Sequence, residues 1–151
     1  MFKVLLYLKP DFEAGLTDLP LNALRARGIK VLAFDLDNTL AYGRTRQFSD
    51  EAAQYLKHVG SLGFKIMLAS NAMGNITQRL GGEIGATAVP ATWFSRKPMK
   101  SYFRRLVAAS GHCPGDIAMI GDRIFTDVLG ANAAGLVTVR VRRHLDFHSN
   151  F

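Results

Sequence analysis

The sequence predicts an α/β domain, a mostly parallel sheet of about five strands with helices on both faces. Three observations predict it. Short runs such as KVLAF (Lys30–Phe34) and FKIMLA (Phe64–Ala69) are apolar at successive positions, so a strand formed there is apolar on both faces. Segments of helical character stand between these runs, giving strand–helix alternation. No repeat, low-complexity tract or linker divides the 151 residues, a length that suits one domain over 1–151 with a real core.

The elements follow in order. Residues 1–28 read as an N-terminal arm and a helix. The helix runs from Leu21 to Arg27, with Asp18 as a possible cap, Pro20 near its start and Gly28 as its stop. Lys30–Phe34 is the first buried strand. Ser49 caps a helix over Asp50–Leu62 that Gly63 stops, and Phe64–Ala69 is the second strand. A short helix over Gly74–Leu80 is expected to break at Gly81-Gly82, before a short third strand at Ala86–Val89. Pro98 suits the first turn of a helix reaching about Ser110. Asp116–Ile120 is the fourth strand, Ile124–Ala134 a helix, Leu136–Val141 the fifth strand, and 142–151 a tail.

Composition narrows the function classes. A hydrophobic content of 48% excludes a disordered chain. No apolar run approaches the roughly 20 residues that span a bilayer, and MFKVLLYLKPD lacks the long apolar region and cleavage site of a signal peptide. Cys113 is the one cysteine, which excludes an internal disulfide and suits a reducing cytoplasm. A net charge of +7 favours anionic partners: phosphoesters, nucleic acid or anionic lipid. From charge alone, a merely basic, solvated surface explains it better. The arginines are scattered, and no basic block interleaved with aromatics offers a single-strand stacking platform.

In doubly wound sheets ligands bind beyond the carboxyl ends of the strands. The first strand ends in Asp35, Asp37, Asn38 and Thr39, and the second in Ser70 and Asn71. After the third come Arg96, Lys97 and Pro98, and the fourth ends in Gly121 and Asp122, with Asp127 five residues on. Two carboxylates one residue apart repel each other unless a cation or a proton intervenes. Polar residues therefore interrupt the apolar runs where a metal and phosphate site belongs.

These four stretches resemble the motifs of the haloacid dehalogenase (HAD) superfamily of phosphohydrolases, in the family's order: DLDNTL, the apolar run into Ser70-Asn71, Lys97, and GDRIFTD at 121–127. With LKPD near the start, SRKPM and GDRIFTDVLGAN, the chain more narrowly resembles the YqeG-like branch of class IIIA phosphatases, related to phosphatidylglycerophosphate phosphatases. The resemblance implies a three-layer, Rossmann-like fold. It implies Asp35 as nucleophile and Asp37 as general acid and base, with the backbone carbonyl of Asp37 facing the metal. Mg²⁺ is the expected cofactor, since the available ligands are hard oxygens, with Asp35 and Asp122 as its direct carboxylates. Asp127 is read as holding the metal through water or orienting Lys97, or alternatively as an acid favoured at a helix N-terminus. Ser70, assisted by Asn71, is expected to donate to a phosphoryl oxygen, and Lys97 to supply positive charge.

HAD enzymes often carry a cap inserted after the first or second motif. Here Leu40–Phe64 leaves room for the loop AYGRTRQF and one helix, and Asn71–Ser95 for a short helix and strand. No cap domain is expected, so the site is open to bulky phosphomonoesters, phosphatidylglycerophosphate among them. Arg44, Arg46 and Arg123 are candidate contacts for a second anionic group. The opening FKVLLYLKP is a candidate amphipathic anchor for peripheral membrane contact, or a strand or packing arm. His144 and His148 share the i,i+4 spacing of some zinc sites but lack an evident third ligand. Two other classes compete. A phospho-accepting receiver module would place its accepting Asp after the third strand, whereas DxD follows the first here. A nucleic-acid-binding scaffold would not need the acidic set.

Overall fold

A computed structural model describes residues 2–37, 39–42 and 47–142. In chain order the elements are α1 (Phe2–Tyr7), β1 (Phe12–Ala14), α2 (Leu21–Ala26), β2 (Val31–Phe34), β3 (Ala41–Tyr42), β4 (Gln47–Phe48), α3 (Asp50–Ser61), β5 (Lys65–Ala69) and α4 (Ile76–Ile84). Then follow β6 (Thr87–Val89), α5 (Lys100–Ser110), β7 (Ile117–Gly121), a π-helical turn at Ile124–Leu129, α6 (Gly130–Ala133) and β8 (Val137–Val141). The main sheet has six strands in the order β1-β8-β7-β2-β5-β6, and its neighbours all pair in parallel.

Residue alternation along the strands builds two cores from one sheet. Leu32 and Phe34 of β2 lie with Leu68, Ile120 and Val139 in one cluster, covered by Leu24 of α2, Leu56 and Val59 of α3 and Leu80 of α4. Val31 and Ala33 lie with Met67, Ala69 and Met119 in the other, against Tyr102, Phe103 and Leu106 of α5 and Ala131 of α6. Every residue of β2 and β7 is buried, as strands covered on both faces must be.

The sheet differs from the sequence reading at its edge. The sixth strand, β1, comes from the stretch read as an arm and pairs with β8, Phe12 opposite Val139 and Ala14 opposite Val141. It is three residues long with Glu13 at its centre, too short and too polar for a periodicity signal. The start of the arm is helical, with Val4 to Tyr7 exposed. Helix α2 is preceded by Pro20 with no side-chain cap, so Asp18 does not cap it. Ser49 does cap α3, its hydroxyl accepting from the Ala52 N–H at 3.1 Å. Helix α4 runs through Gly81-Gly82 instead of breaking there, because its contact with β6 needs a bare Cα: a Cβ on Gly81 would stand 2.8 Å from the Ala86 carbonyl oxygen. Pro98 lies ahead of α5, whose N-cap is Met99. Between β2 and α3 the described residues form only the antiparallel β3–β4 pair, where a plain loop is expected from sequence, and no cap domain.

The chain moves outward from β2 through β5 to β6, then returns across the sheet to β7 on the other side of β2. The winding reverses beside β2. Its carboxyl end, between those of β5 and β7, is therefore the crevice at the topological switch point.

Candidate active site

Asp35 stands one residue beyond β2, and its N–H donates to the Ile120 carbonyl at 2.8 Å, continuing the β2–β7 ladder. Leu36 and Leu40 are fully buried on either side of the turn and anchor it in the core. Leu36 accepts the Leu40 N–H at 3.1 Å, which closes the turn around the half-buried Asp37. The DLD pattern thus alternates a buried apolar anchor with two carboxylates.

Lys97 joins the elements. Its side chain is buried, and Nζ donates to Asp35 Oδ1 at 2.7 Å and to Asp127 Oδ1 at 2.6 Å. Asn71, beyond β5, fixes the backbone that carries it: Asn71 Oδ1 accepts from the Lys97 N–H at 2.7 Å, and Nδ2 donates to the Lys97 carbonyl at 2.9 Å. No local pattern announces this clamp, because its partners lie in different loops. Ser70 is fully buried at the end of β5, and its Oγ accepts from the Ala72 N–H at 2.9 Å, which leaves the hydroxyl proton for another acceptor.

Asp127 is held by its second oxygen as well, Oδ2 accepting from the Arg123 N–H at 3.2 Å. The π-helical turn brings its carboxylate back over Gly121, where any Cβ would collide with it. The glycine before Asp122 therefore makes room for Asp127, a close approach of the kind that only glycine permits.

Asp35, Asp122 and Asp127 are all buried and offer carboxylate oxygens within 4.8 Å of one another. Burial pushes the Asp35 carboxyl up to about 6; Lys97 opposes the rise, while Asp127 and Asp122 add to it. Burial also pulls the Lys97 ammonium down, but Asp127 and Asp35 more than offset that, so its net shift is upward and it stays charged. Three carboxyl groups facing one ammonium leave an excess of acidic over basic groups in a dry site. A divalent cation liganded by hard oxygens fits that excess. Both oxygens of Asp127 are engaged with Lys97 and Arg123, while Lys97 takes Oδ1 of Asp35, which favours Asp35 over Asp127 as a direct ligand.

The structure thus brings Asp35, Lys97, Asp122 and Asp127 into one cluster and places Ser70 and Asn71 on the adjoining strand end. Asn71 spends its amide on Lys97. Arg123 lines a cleft that also includes Asp122. Arg44 and Arg46 lie outside the described residues, as do Asn38, His144 and His148. Trp93 and Phe94 are exposed in the loop leading to Lys97. Sequence reasoning missed Arg140, whose Nε donates to the Asp122 carbonyl at 3.4 Å. Its only sequence signal is its place near the end of the last strand.

Comparison with known proteins agrees with this fold. A family model described as HAD-hydrolase-like matches residues 94–145, which include Lys97, Asp122 and Asp127. The chain is 27% identical over 135 residues to "Probable phosphatase YqeG" of Bacillus subtilis (strain 168), covering 89% of this chain and 77% of that protein. Among solved structures, a HAD phosphatase from Thermococcus onnurineus superposes with a TM-score of 0.57 at 22% identity, over 70% of this chain and 51% of that one. The HAD-hydrolase YfnB of Bacillus subtilis, solved bound to magnesium, superposes with a TM-score of 0.55 at 14% identity, over 73% of this chain and 85% of that one.

Proposed function

We propose that the chain is a phosphatase of the haloacid dehalogenase superfamily, and that it hydrolyses a phosphomonoester through an aspartyl-phosphate on Asp35. The observation that carries the reading is Asp35 itself: a buried carboxylate at the switch-point strand end, hydrogen-bonded to Lys97 and flanked by two further acids.

In the first step an Asp35 oxygen attacks phosphorus, the bond from phosphorus to the leaving oxygen breaks, and Asp37 gives that oxygen its proton. In the second, water attacks phosphorus, Asp37 takes the proton from the water, and the Asp35–phosphorus bond breaks. Lys97 presents its ammonium to Asp35 and to the charge that develops on the phosphoryl oxygens. Ser70 has a proton to donate to a phosphoryl oxygen, and Asn71 keeps Lys97 in place. Asp35, Asp122 and the Asp37 backbone carbonyl would hold Mg²⁺, which would neutralise charge between an anionic nucleophile and an anionic phosphate. Asp127 orients Lys97.

The absence of a cap among the described residues supports a bulky substrate, and phosphatidylglycerophosphate is one candidate. No described helix is long and apolar enough to cross a membrane. The exposed apolar side chains of α1 support peripheral membrane contact, and a lone exposed Cys113 supports a cytoplasmic setting. The test is phosphate release from a panel of soluble and lipid phosphomonoesters with and without Mg²⁺, with Asp35→Asn as control. Activity that needs Mg²⁺ and is lost in the variant is expected; activity surviving in a folded Asp35→Asn protein removes Asp35 as nucleophile.

A further inference from the structure

At the carboxyl edge of the sheet, next to the acidic cluster, lies a cleft of about 670 Å³ whose lining includes Asp122, Arg123, Phe125, Glu13, Arg140 and Arg142. Asp122 belongs to both, so the cleft opens from the reaction centre. Strand register explains its composition. Arg140 of β8 stands opposite Gly121 of β7 on one side and Glu13 of β1 on the other. Parallel neighbours are about 4.8 Å apart, so Arg140 reaches both: Nε donates to the Asp122 carbonyl at 3.4 Å, and Nη1 lies 3.9 Å from Glu13 Oε1. One residue beyond β8, Arg142 Nη2 donates to Glu13 Oε2 at 3.0 Å.

Asp122 is committed to the acidic cluster. The rest of this wall sets three arginines against the single acid Glu13, a net basic surface immediately beside an acidic centre. The Arg142 side chain is 73% exposed and meets Glu13 at the surface, so an arriving anion competes for it at little cost in desolvation. Phe125, 69% exposed, gives the same cleft an apolar wall. Guanidinium forks suit phosphate and carboxylate oxygens.

We propose that this cleft is an anion subsite, which holds a second anionic group on the alcohol portion of the substrate while the scissile phosphoryl group sits at Asp35. The inference rests on the phosphatase reading and narrows it to doubly anionic phosphomonoesters, with Arg123, Arg140 and Arg142 as the contacts. Glu13 holds Arg140 and Arg142 over the cleft and competes with the ligand for them.

Alkyl phosphates and ω-phosphonoalkyl phosphates of matched chain length test this, since they differ only in a second, unhydrolysable anion. Wild-type protein should prefer the phosphonate-bearing ester at one spacer length. Arg142→Ala and Arg140→Ala should each lower that preference, read as a ratio of kcat/KM values, by about tenfold. Glu13→Gln should raise it. The same ratio, read as binding to Asp35→Asn protein by calorimetry, needs no turnover. A preference in binding without Asp35-dependent hydrolysis would sink the phosphatase reading and leave the subsite standing. No preference in the wild type, or equal effects of the arginine variants on both esters, overturns the subsite. Phosphatidylglycerophosphate in detergent micelles and its deacylated head group then separate the sources. An arginine-dependent advantage for both supports a free phosphoester, and one for the micellar form alone supports a membrane lipid.

Discussion

Two charged regions meet at Asp122, and they obey different electrostatics. On one side Asp35, Lys97 and Asp127 form a dry cluster with side chains no more than 9% exposed. On the other, Glu13, Arg140 and Arg142 lie 37 to 73% exposed along the sheet edge. Both contain ion pairs, but only the buried one holds groups that water cannot rescue. Losing one partner of a buried pair strands the others at a cost of about 3–5 kcal/mol, whereas an exposed pair contributes about 0–1 kcal/mol. The buried region is therefore suited to fixed chemistry, and the exposed one to exchanging partners.

Perturbing the dry cluster should produce the largest effects. Lys97→Met removes the shared donor of Asp35 and Asp127 and should reduce turnover about 10²- to 10³-fold. It should also make stability strongly pH-dependent. With the ammonium gone the Asp35 carboxyl rises further above its unfolded value, so stability is retained at low pH and lost as pH rises through the folded value. Melting temperature against pH checks this, and added Mg²⁺ should restore part of the loss at neutral pH. Gly121→Ala ranks next. Its Cβ collides with the Asp127 carboxylate, which should cost about 1–3 kcal/mol of stability in denaturant titrations. Activity should fall with it, because Lys97 loses its second acceptor.

Protons offer a milder probe of the same region. The proposed Mg²⁺ site needs the Asp35 carboxylate, whose pKa is raised to about 6 by burial, so on that proposal Mg²⁺ affinity should fall by up to about tenfold for each pH unit below 6 and level off above it. For Asp35 alone, the folded value lies above the ordinary 3.8, so its contribution favours the folded metal-free protein below 3.8 and fades as pH rises through about 6. Calorimetric Mg²⁺ titrations between pH 5 and pH 8 would show the trend. The opposite slope would show that Asp35 is not a ligand. The exposed region should give the smallest response: Glu13→Ala should change unfolding free energy by no more than about 0.5 kcal/mol. A loss of several kcal/mol there would erase the contrast between the two regions.

The same contrast explains what the sequence made legible. Asp35, Ser70 and Asp122 could be located because apolar runs buried on both faces end abruptly in polar residues, and doubly wound sheets bind ligands at such ends, whereas Lys97, well beyond β6, is marked only by its place in the motif series. The Asn71 clamp on Lys97, the crowding of Gly121 by Asp127 and the meeting of Glu13 with Arg140 depend on residues far apart in the chain, so no periodicity encodes them. Strand β1 escaped for a related reason: FEA carries too few residues to register and gains its identity by pairing with β8. Helix α4 shows tertiary packing overriding propensity, since Gly81-Gly82 reads as a break until β6 is seen against it.

The central claim is that Asp35 becomes covalently phosphorylated during turnover. Quenching the protein in acid during hydrolysis of a phosphomonoester with Mg²⁺ present, then reducing with borohydride, converts an aspartyl-phosphate to homoserine at its site. Mass spectrometry of the digested chain should find homoserine at position 35 and nowhere else, and none when substrate is withheld. Turnover that proceeds with unmodified Asp35, or with the modification at Asp122, would contradict the account.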